Sequence, residues 1–222
     1  MATTYTIHPK TPQPRKISAV CDQLRKGAVV LYPTDTVYAI GCDLNAKNAI
    51  KRVRQLKQLS NDKPLTFLCA SISNVADYAL VSDPAFRLIK HLIPGPYTFL
   101  LPATKAVPKL VMNPKRRTTG IRVPENPLCH ALIETLGNPI ISTSALPVAR
   151  KSIEDDIEAL SKVELFDRME NLVDVIVDSD LEFRYQVSTI LDMTGVTPTV
   201  IRQGQGWQDA IAWGAQLETP SK

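Results

Sequence analysis

Five consecutive apolar residues, Ala28-Val29-Val30-Leu31-Tyr32, have no polar position between them, the pattern of a strand buried on both faces. Pro33 ends the run, because proline has no N–H to give to a sheet ladder. Thr34, Asp35 and Thr36 follow at once, so two hydroxyls and a carboxylate stand at the end of a buried strand. Open α/β proteins place ligand-binding groups there, and turns use the same residue types to bond their own amides. The local pattern admits both readings.

Upstream, residues 3–8 alternate well enough for an edge strand. Ile17, Val20, Cys21 and Leu24 recur at i, i+3, i+4 and i+7, which predicts an amphipathic helix over 15–26 stopped by Gly27. Downstream, Asn45 is placed to cap a helix over 46–59. Its stripe is Ala49, Ile50, Val53 and Leu56, and Lys47, Lys51, Arg52, Arg54 and Lys57 lie on the other face. Residues 65–69 predict a second buried strand and 73–79 a short helix. Asp83-Pro84 has the form of an N-cap and N1 proline, opening a helix to His91. Strands follow at 97–101 and 118–123, separated by a loop or short helix over 105–113 and the cluster Lys115-Arg116-Arg117. Asn126-Pro127 opens a helix to Gly137, and 139–142 is a short strand. Surface helices are expected within 146–168, late strands at 173–177, 187–191 and 199–202, and a short helix with a frayed end after Gly206. Strands interleaved with helices, with adjacent late strands and no linker, predict one α/β domain over 1–206 on a mixed parallel and antiparallel sheet with flanking helices, and a tail over 207–222.

Bulk properties narrow the function. An apolar share of 44% and a mean hydropathy of −0.05 are those of a soluble globular chain. The net charge of +4 permits an anionic ligand but is too small an excess to argue nucleic acid. Cys21, Cys42, Cys69 and Cys129 form no CxxC pair, and the histidines 8, 91 and 130 lack ligand spacing, so neither a disulfide scaffold nor a protein-held transition metal is expected. The N-terminus has no apolar h-region and no apolar run reaches ~18 residues, so no signal peptide or membrane span is expected and the compartment is cytoplasmic by default.

Neither GxGxxG after a strand nor GxxxxGK[ST] is present. What remains is a series of polar groups at strand ends. Lys57 and Lys63 flank a polar loop, as anion ligands or as solvated lysines. Arg122 sits inside a strand between Ile121 and Val123, where its guanidinium requires a carboxylate, phosphate or carbonyl, supplied by a ligand or by a structural Asp or Glu. Ser142-Thr143-Ser144 repeats the logic of the opening stretch, as does Ser188-Thr189, and Arg202 ends a strand before Gln203-Gly204. Four such clusters with two arginines and two lysines describe a pocket for a polyanion. None of the groups is an evident general base, so such a pocket binds and orients.

TVYAIGCD after YPTD, KQLSNDKPL, PGPYTFLL, TTGIRVPENP, PIISTSA, STILD and VIRQG resemble, in this order, the motifs of the YrdC-like family, over residues 15–206. The opening HPKTPQPRK and the KQL form resemble the family's bacterial YciO branch. The resemblance implies a twisted mixed sheet with a large basic concave cavity, the YrdC-like or DHBP synthase-like fold. It implies threonylcarbamoyl-AMP synthase chemistry, in which L-threonine, bicarbonate and ATP with Mg2+ give threonylcarbamoyl-adenylate and pyrophosphate for t6A in tRNA. By motif, Thr34, Thr36, Arg122, Ser142 and Ser188 would hold threonine. Lys57, Lys63, Thr118, Ser144 and Arg202 would face the nucleotide, with Lys57, Arg122 and Ser144 as the positioning and electrostatic groups. Three positions depart from the family pattern. Lysine-x-arginine reads Lys57-Gln58-Leu59, serine-x-asparagine reads Ser144-Ala145-Leu146, and a frequent histidine falls at Leu68. These departures admit two alternatives to the synthase: a nucleotide- or RNA-binding module, double-stranded RNA included, and an adenylate-forming enzyme of another substrate.

Overall fold

A computed structural model describes residues 1–58, 64–146, 160–180 and 184–218. Its strands are β1 (Thr3–Thr6), β2 (Val30–Tyr32), β3 (Ala39–Asp43), β4 (Thr66–Leu68), β5 (Tyr97–Pro102), β6 (Thr118–Arg122), β7 (Ile140–Ser144), β8 (Val175–Asp178), β9 (Thr189–Asp192), β10 (Thr199–Arg202) and β11 (Gln216–Leu217). They join one sheet in the order β1-β8-β2-β3-β7-β4-β6-β5-β9-β10-β11. Parallel pairs (β1–β8, β2–β8, β4–β6, β5–β9, β10–β11) mix with antiparallel ones (β2–β3, β3–β7, β4–β7, β5–β6, β9–β10), the mixed sheet that the alternation of elements predicts.

Each face of the sheet receives helices, and strand parity sorts the side chains between them. Leu31, Ile40, Phe67, Phe99, Ile121, Ile141 and Leu191 point to one face. Against it pack α2 (Lys47–Leu56), the short α3 (Val75–Tyr78), α4 (Asp83–Leu92), α6 (Lys162–Met169) and α7 (Trp207–Ala212). Val30, Tyr32, Ala39, Leu68, Ile140 and Val175 point to the other face, covered by α1 (Pro14–Arg25) and α5 (Pro127–Leu136), which also pack on each other. Helix α1 buries Ile17, Val20, Cys21 and Leu24, the predicted stripe. Helix α5 starts and stops as its sequence dictates. The Asn126 side chain accepts from the Cys129 amide at 3.0 Å, Pro127 takes the first turn, and Gly137 closes the helix at φ 84°.

The local expectations fail at a few points, each for a long-range reason. Residues 39–43, to which the sequence pattern assigns no strand, form β3, whose residues are all buried between β2 and β7. Asn45 does not cap α2: its amide turns away to Asp43 and Asn138, and Ala46 takes the cap position. The cap of α4 is Ser82, whose hydroxyl accepts from the Ala85 amide, and Asp83 is already helical. Beyond Gly206, β11 adds an edge to the sheet beside β10. Of the surface helices expected within 146–168, residues 147–159 lie outside the described ones. Among the described residues no helix is long and apolar enough to cross a membrane.

Gly41 shows how tightly β3 is held. A Cβ there would lie 2.8 Å from Ile140 Cγ2 and from the Ile141 carbonyl oxygen, and 3.0 Å from the Tyr32 ring. Two of these contacts are core side chains and one is backbone, so nothing can yield cheaply. Gly41→Ala is expected to destabilise the fold by about 1–3 kcal/mol, measured as a lower urea midpoint at unchanged slope. A midpoint equal to the parent's would show that β7 can shift away.

Candidate functional site

The apolar cluster under α1 and α5 reaches as far as Leu68 of β4, and beyond it the same face of β4, β6, β5 and β9 carries polar side chains. Register aligns them in rungs. Ile140, Leu68 and Arg122 are paired across β7, β4 and β6; Thr98 is one residue along β5 from the Phe99–Ile121 pair, and pairs with Ile190, itself opposite Arg202. The next rung runs Gly41, Ser142, Thr66, Gly120, and beyond it Ala39 faces Ser144. The result is a cavity of about 210 Å3 with polar walls. Its described lining carries the cations Lys57, Arg122 and Arg202 with eight Ser and Thr residues, and includes no carboxylate.

Thr34 and Arg122 anchor one wall. The Thr34 hydroxyl accepts from the Thr36 amide (3.0 Å) and donates to the Val37 carbonyl (2.8 Å), which is turn chemistry. Asp35 does something else: its carboxylate accepts from Arg122 Nη2 at 2.6 Å and from the Glu125 amide at 3.1 Å, with both side chains of the ion pair about nine-tenths buried. Arg122 Nη2 also donates to Thr36 Oγ1 at 2.9 Å. The residue that the buried-strand position of Arg122 demands is therefore Asp35. The guanidinium is not exhausted by it, because the buried Nε–H has no hydrogen-bond partner among the described residues. Behind this wall the Cys129 thiol donates to the Pro33 carbonyl at 3.3 Å, and burial pushes its pKa far above the thiol range, so it stays a thiol.

On the opposite wall, Arg202 donates from Nε and Nη2 to the Ser188 carbonyl (3.0 and 2.8 Å) and from Nη2 to Ser188 Oγ (2.9 Å). Ser188 Oγ lies 3.0 Å from Thr98 Oγ1. Desolvation by the surrounding walls and, second, the like charge of Arg122 pull the Arg202 pKa below its usual value, as expected where two guanidinium groups stand near one another in a partly buried wall. At the far end Lys57 Nζ donates to the Ser144 carbonyl at 3.0 Å, and the buried Ser144 hydroxyl has no partner among the described residues. Tyr32 supports the floor, donating to Ser142 Oγ at 2.7 Å.

Thus Thr34, Thr36, Arg122, Ser142, Ser188, Lys57, Ser144 and Arg202 all line one cavity, although they come from widely separated points of the chain. Thr118 is not in the lining. It shares the cavity-facing parity of β6, but it lies four residues from Arg122, about 13 Å along the strand, buried at the bridge to Asn113. Lys63 and Leu59 lie outside the described residues. Arg54 donates to the Leu110 carbonyl at 3.1 Å and does not line the cavity. Leu146 packs into the core rather than the cavity. Sequence reasoning did not select Thr66, Thr98 or Tyr32. Parity relative to Phe67, Phe99 and Leu31 marks their face, but which face lacks a helix is a tertiary fact.

Three comparisons bear on the site. Residues 22–204 match the Sua5_yciO_yrdC family, described as "Telomere recombination". The uncharacterized protein YciO of Escherichia coli K12 is 40% identical over 93% of this chain and 97% of its own length, and its crystal structure superposes with a TM-score of 0.84. A threonylcarbamoyl-AMP synthase of Vibrio vulnificus is 29% identical over 85% of this chain and 98% of its own. The crystal structure of P. abyssi Sua5 complexed with L-threonine matches 97% of this chain and 62% of that one at 25% identity, with a TM-score of 0.82.

The buried pair offers a direct test. Arg122→Ala strands the Asp35 carboxylate without its counter-ion, and a loss of about 3 kcal/mol or more is expected in denaturant unfolding. Removing both charges, as Asp35→Asn with Arg122→Met, should restore part of that stability. A single variant as stable as the parent would refute the pair as a structural element.

Proposed function

The chain belongs to the Sua5/YciO/YrdC family, and from that premise we propose that its cavity binds L-threonine beside ATP and joins them, through bicarbonate, into threonylcarbamoyl-adenylate. The observation that carries this reading is the Arg122 guanidinium, held by Asp35 yet keeping a buried Nε–H without a partner, at the centre of a wall of hydroxyls. A buried donor left unmade is costly, and an anionic ligand oxygen at that point relieves the cost. Support also comes from a synthase among the relatives and from a family member crystallised with L-threonine.

In this reading Thr34, Thr36, Arg122, Ser142 and Ser188 hold the amino acid, and Lys57, Lys63, Ser144 and Arg202 face the phosphates. The amine of threonine takes up carbon dioxide from bicarbonate to give a carbamate. A carbamate oxygen attacks the α-phosphorus, the bond to the bridging oxygen of the β-phosphate breaks, and pyrophosphate leaves with its Mg2+. No protein group need accept a proton at the α-phosphorus. The protein's tasks are alignment of the attacking oxygen and neutralisation of phosphate charge, which positioned cations and hydroxyls perform. Magnesium arrives on the nucleotide, where phosphate oxygens and water suit it. The adenylate would serve t6A formation on tRNA in the cytoplasm.

One observation favours a second reading, a nucleotide- or RNA-binding module that forms no adenylate. At the family's serine-x-asparagine position the third residue is Leu146, which is buried in the core and gives no polar group to the cavity.

Pyrophosphate release separates the two. With ATP, Mg2+, bicarbonate and L-threonine the synthase reading expects threonine-dependent pyrophosphate, abolished in Arg122→Ala by at least about 100-fold. No release above a blank, alongside a thermal midpoint raised by ATP, refutes it and leaves the binding module. Release with another amino acid but not threonine identifies an adenylate-forming enzyme of different substrate. RNA binding, in the module reading, must weaken steeply with salt.

A further inference from the structure

We propose that Tyr32, which lies beneath the cavity and touches no ligand, is a specificity-determining positioning residue: it forces Ser142 to present its hydroxyl proton to the amino acid. The inference rests on the reading that the cavity binds L-threonine, and it concerns a residue that neither the family motif nor the local sequence pattern assigns to ligand recognition.

The argument is a count of protons. Tyr32 is 1% exposed, and Ser142 Oγ is the one partner recorded for its hydroxyl, at 2.7 Å. A buried phenol must give its proton to an acceptor or lose a hydrogen bond at the full desolvation cost. Among the described residues that acceptor is Ser142. Ser142 therefore receives the bond, and its own O–H cannot point back at Tyr32. It is 5% exposed and lines the cavity, and among the described residues its hydroxyl meets no other partner, so the proton faces the cavity. Burial raises the Tyr32 pKa far above the ordinary phenol range, so this donor stays protonated at every working pH.

The same count runs through two neighbouring clusters. Ser188 Oγ accepts from Arg202 and lies 3.0 Å from Thr98 Oγ1. That pair owns two protons and shares one bond, so one proton is left for the cavity whichever residue donates. Thr36 Oγ1 accepts from Arg122, and because the Thr34 proton is engaged by the Val37 carbonyl, the 3.2 Å contact between the two hydroxyls is one in which Thr36 donates to Thr34. Each hydroxyl is backed by a donor that cannot become an acceptor, Tyr32, Arg202 or Arg122 in turn. A serine alone can rotate to give or to take a hydrogen bond. A serine held this way keeps one free lone pair, but its own proton can no longer turn back to Tyr32 and has the cavity to meet. The ligand atom that takes this proton is then an acceptor oxygen.

A double-mutant cycle on L-threonine binding, measured by titration calorimetry, tests this. Tyr32→Phe removes the one oxygen and nothing else, and thermal unfolding verifies that the variant folds. The expected result is a loss of about 10-fold in affinity for Tyr32→Phe, a loss of about 10-fold or more for Ser142→Ala, and no further loss in the double variant, because Tyr32 acts only through Ser142. Additive losses overturn the proposal, since a purely structural role for Tyr32 does not depend on the Ser142 hydroxyl. Unchanged affinity in Ser142→Ala overturns it as well, and that arm stands even if Tyr32→Phe fails to fold. A parent protein that binds no L-threonine overturns the reading of the cavity and this inference with it, whereas a parent that binds and an additive cycle overturn the inference alone.

Discussion

The pair between Asp35 and Arg122 is the interaction on which the cavity depends. It joins the connection after β2 to the end of β6, two elements separated in the sheet by three strands and in sequence by 87 residues. Neither partner can be left alone. A carboxylate and a guanidinium so buried pay for their desolvation only in each other's company. The rest of Asp35 is equally engaged, with the Glu125 amide on its second oxygen and Arg184 Nη1 on its backbone carbonyl at 3.0 Å. The strand-end turn is thus a structural knot that also fixes the orientation of the guanidinium facing the cavity. A structural ion pair and a place in the cavity wall, which look like alternatives in sequence, belong here to one side chain.

The place of the cavity follows from incomplete cover. A sheet of eleven described strands is wider than two helices can shield, and the apolar cluster under α1 and α5 takes in residues of β8, β2, β3 and β7 and ends at Leu68 of β4. On the remaining strands of that face the parity that buries Phe67, Phe99 and Ile121 on one side turns Thr66, Thr98 and Arg122 to the other. An apolar choice at these positions would have left an open hydrophobic patch; hydroxyls and cations keep the face solvated. Gly120 and Gly41 in the same rungs keep the floor low. A Cβ on Gly120 would come 2.8 Å from Thr66 Oγ1.

What could be read from the sequence was what is local. The 3.6-residue stripe of α1, the Asn126 cap and Gly137 stop of α5, and the β-branched run of β2 each carry their own signal, and each forms as read. The candidate ligands at strand ends were legible for the same reason, since a buried run followed by hydroxyls is visible in six residues. Strand β3 was not legible. Its Gly41 and Asp43 are poor strand formers, and β2 and β7 on either side supply the ladder that propensity does not. Asn45 has the right residue type for a cap, but Asp43 and Asn138 compete successfully for its amide, and Asn138 is 93 residues away. The role of Tyr32 was hidden altogether, because a tyrosine at the end of an apolar run reads as core until its hydroxyl is seen against Ser142, 110 positions later.

Leu146 shows what a departure from the family pattern does physically. An asparagine in a cavity wall brings donors and an acceptor that must be satisfied by ligand or water. A leucine turned into the core brings none, and here it is buried against the main apolar cluster at 4% exposure. Exchanging a polar group for a packed apolar one leaves no orphaned atom behind, so the fold loses nothing by it and gains apolar burial. Any penalty falls on the ligand alone. Two residues earlier the Ser144 hydroxyl, whose burial without a partner does cost the fold, is still present beside Lys57. A chain that had abandoned small-molecule binding would be under no constraint to keep that unpaired hydroxyl, or the Nε–H of Arg122, buried and unmet. Stability alone favours replacing both. Both belong to residues that line the cavity, beside a leucine whose burial costs the fold nothing, so the polar cost of this region is concentrated at the cavity wall.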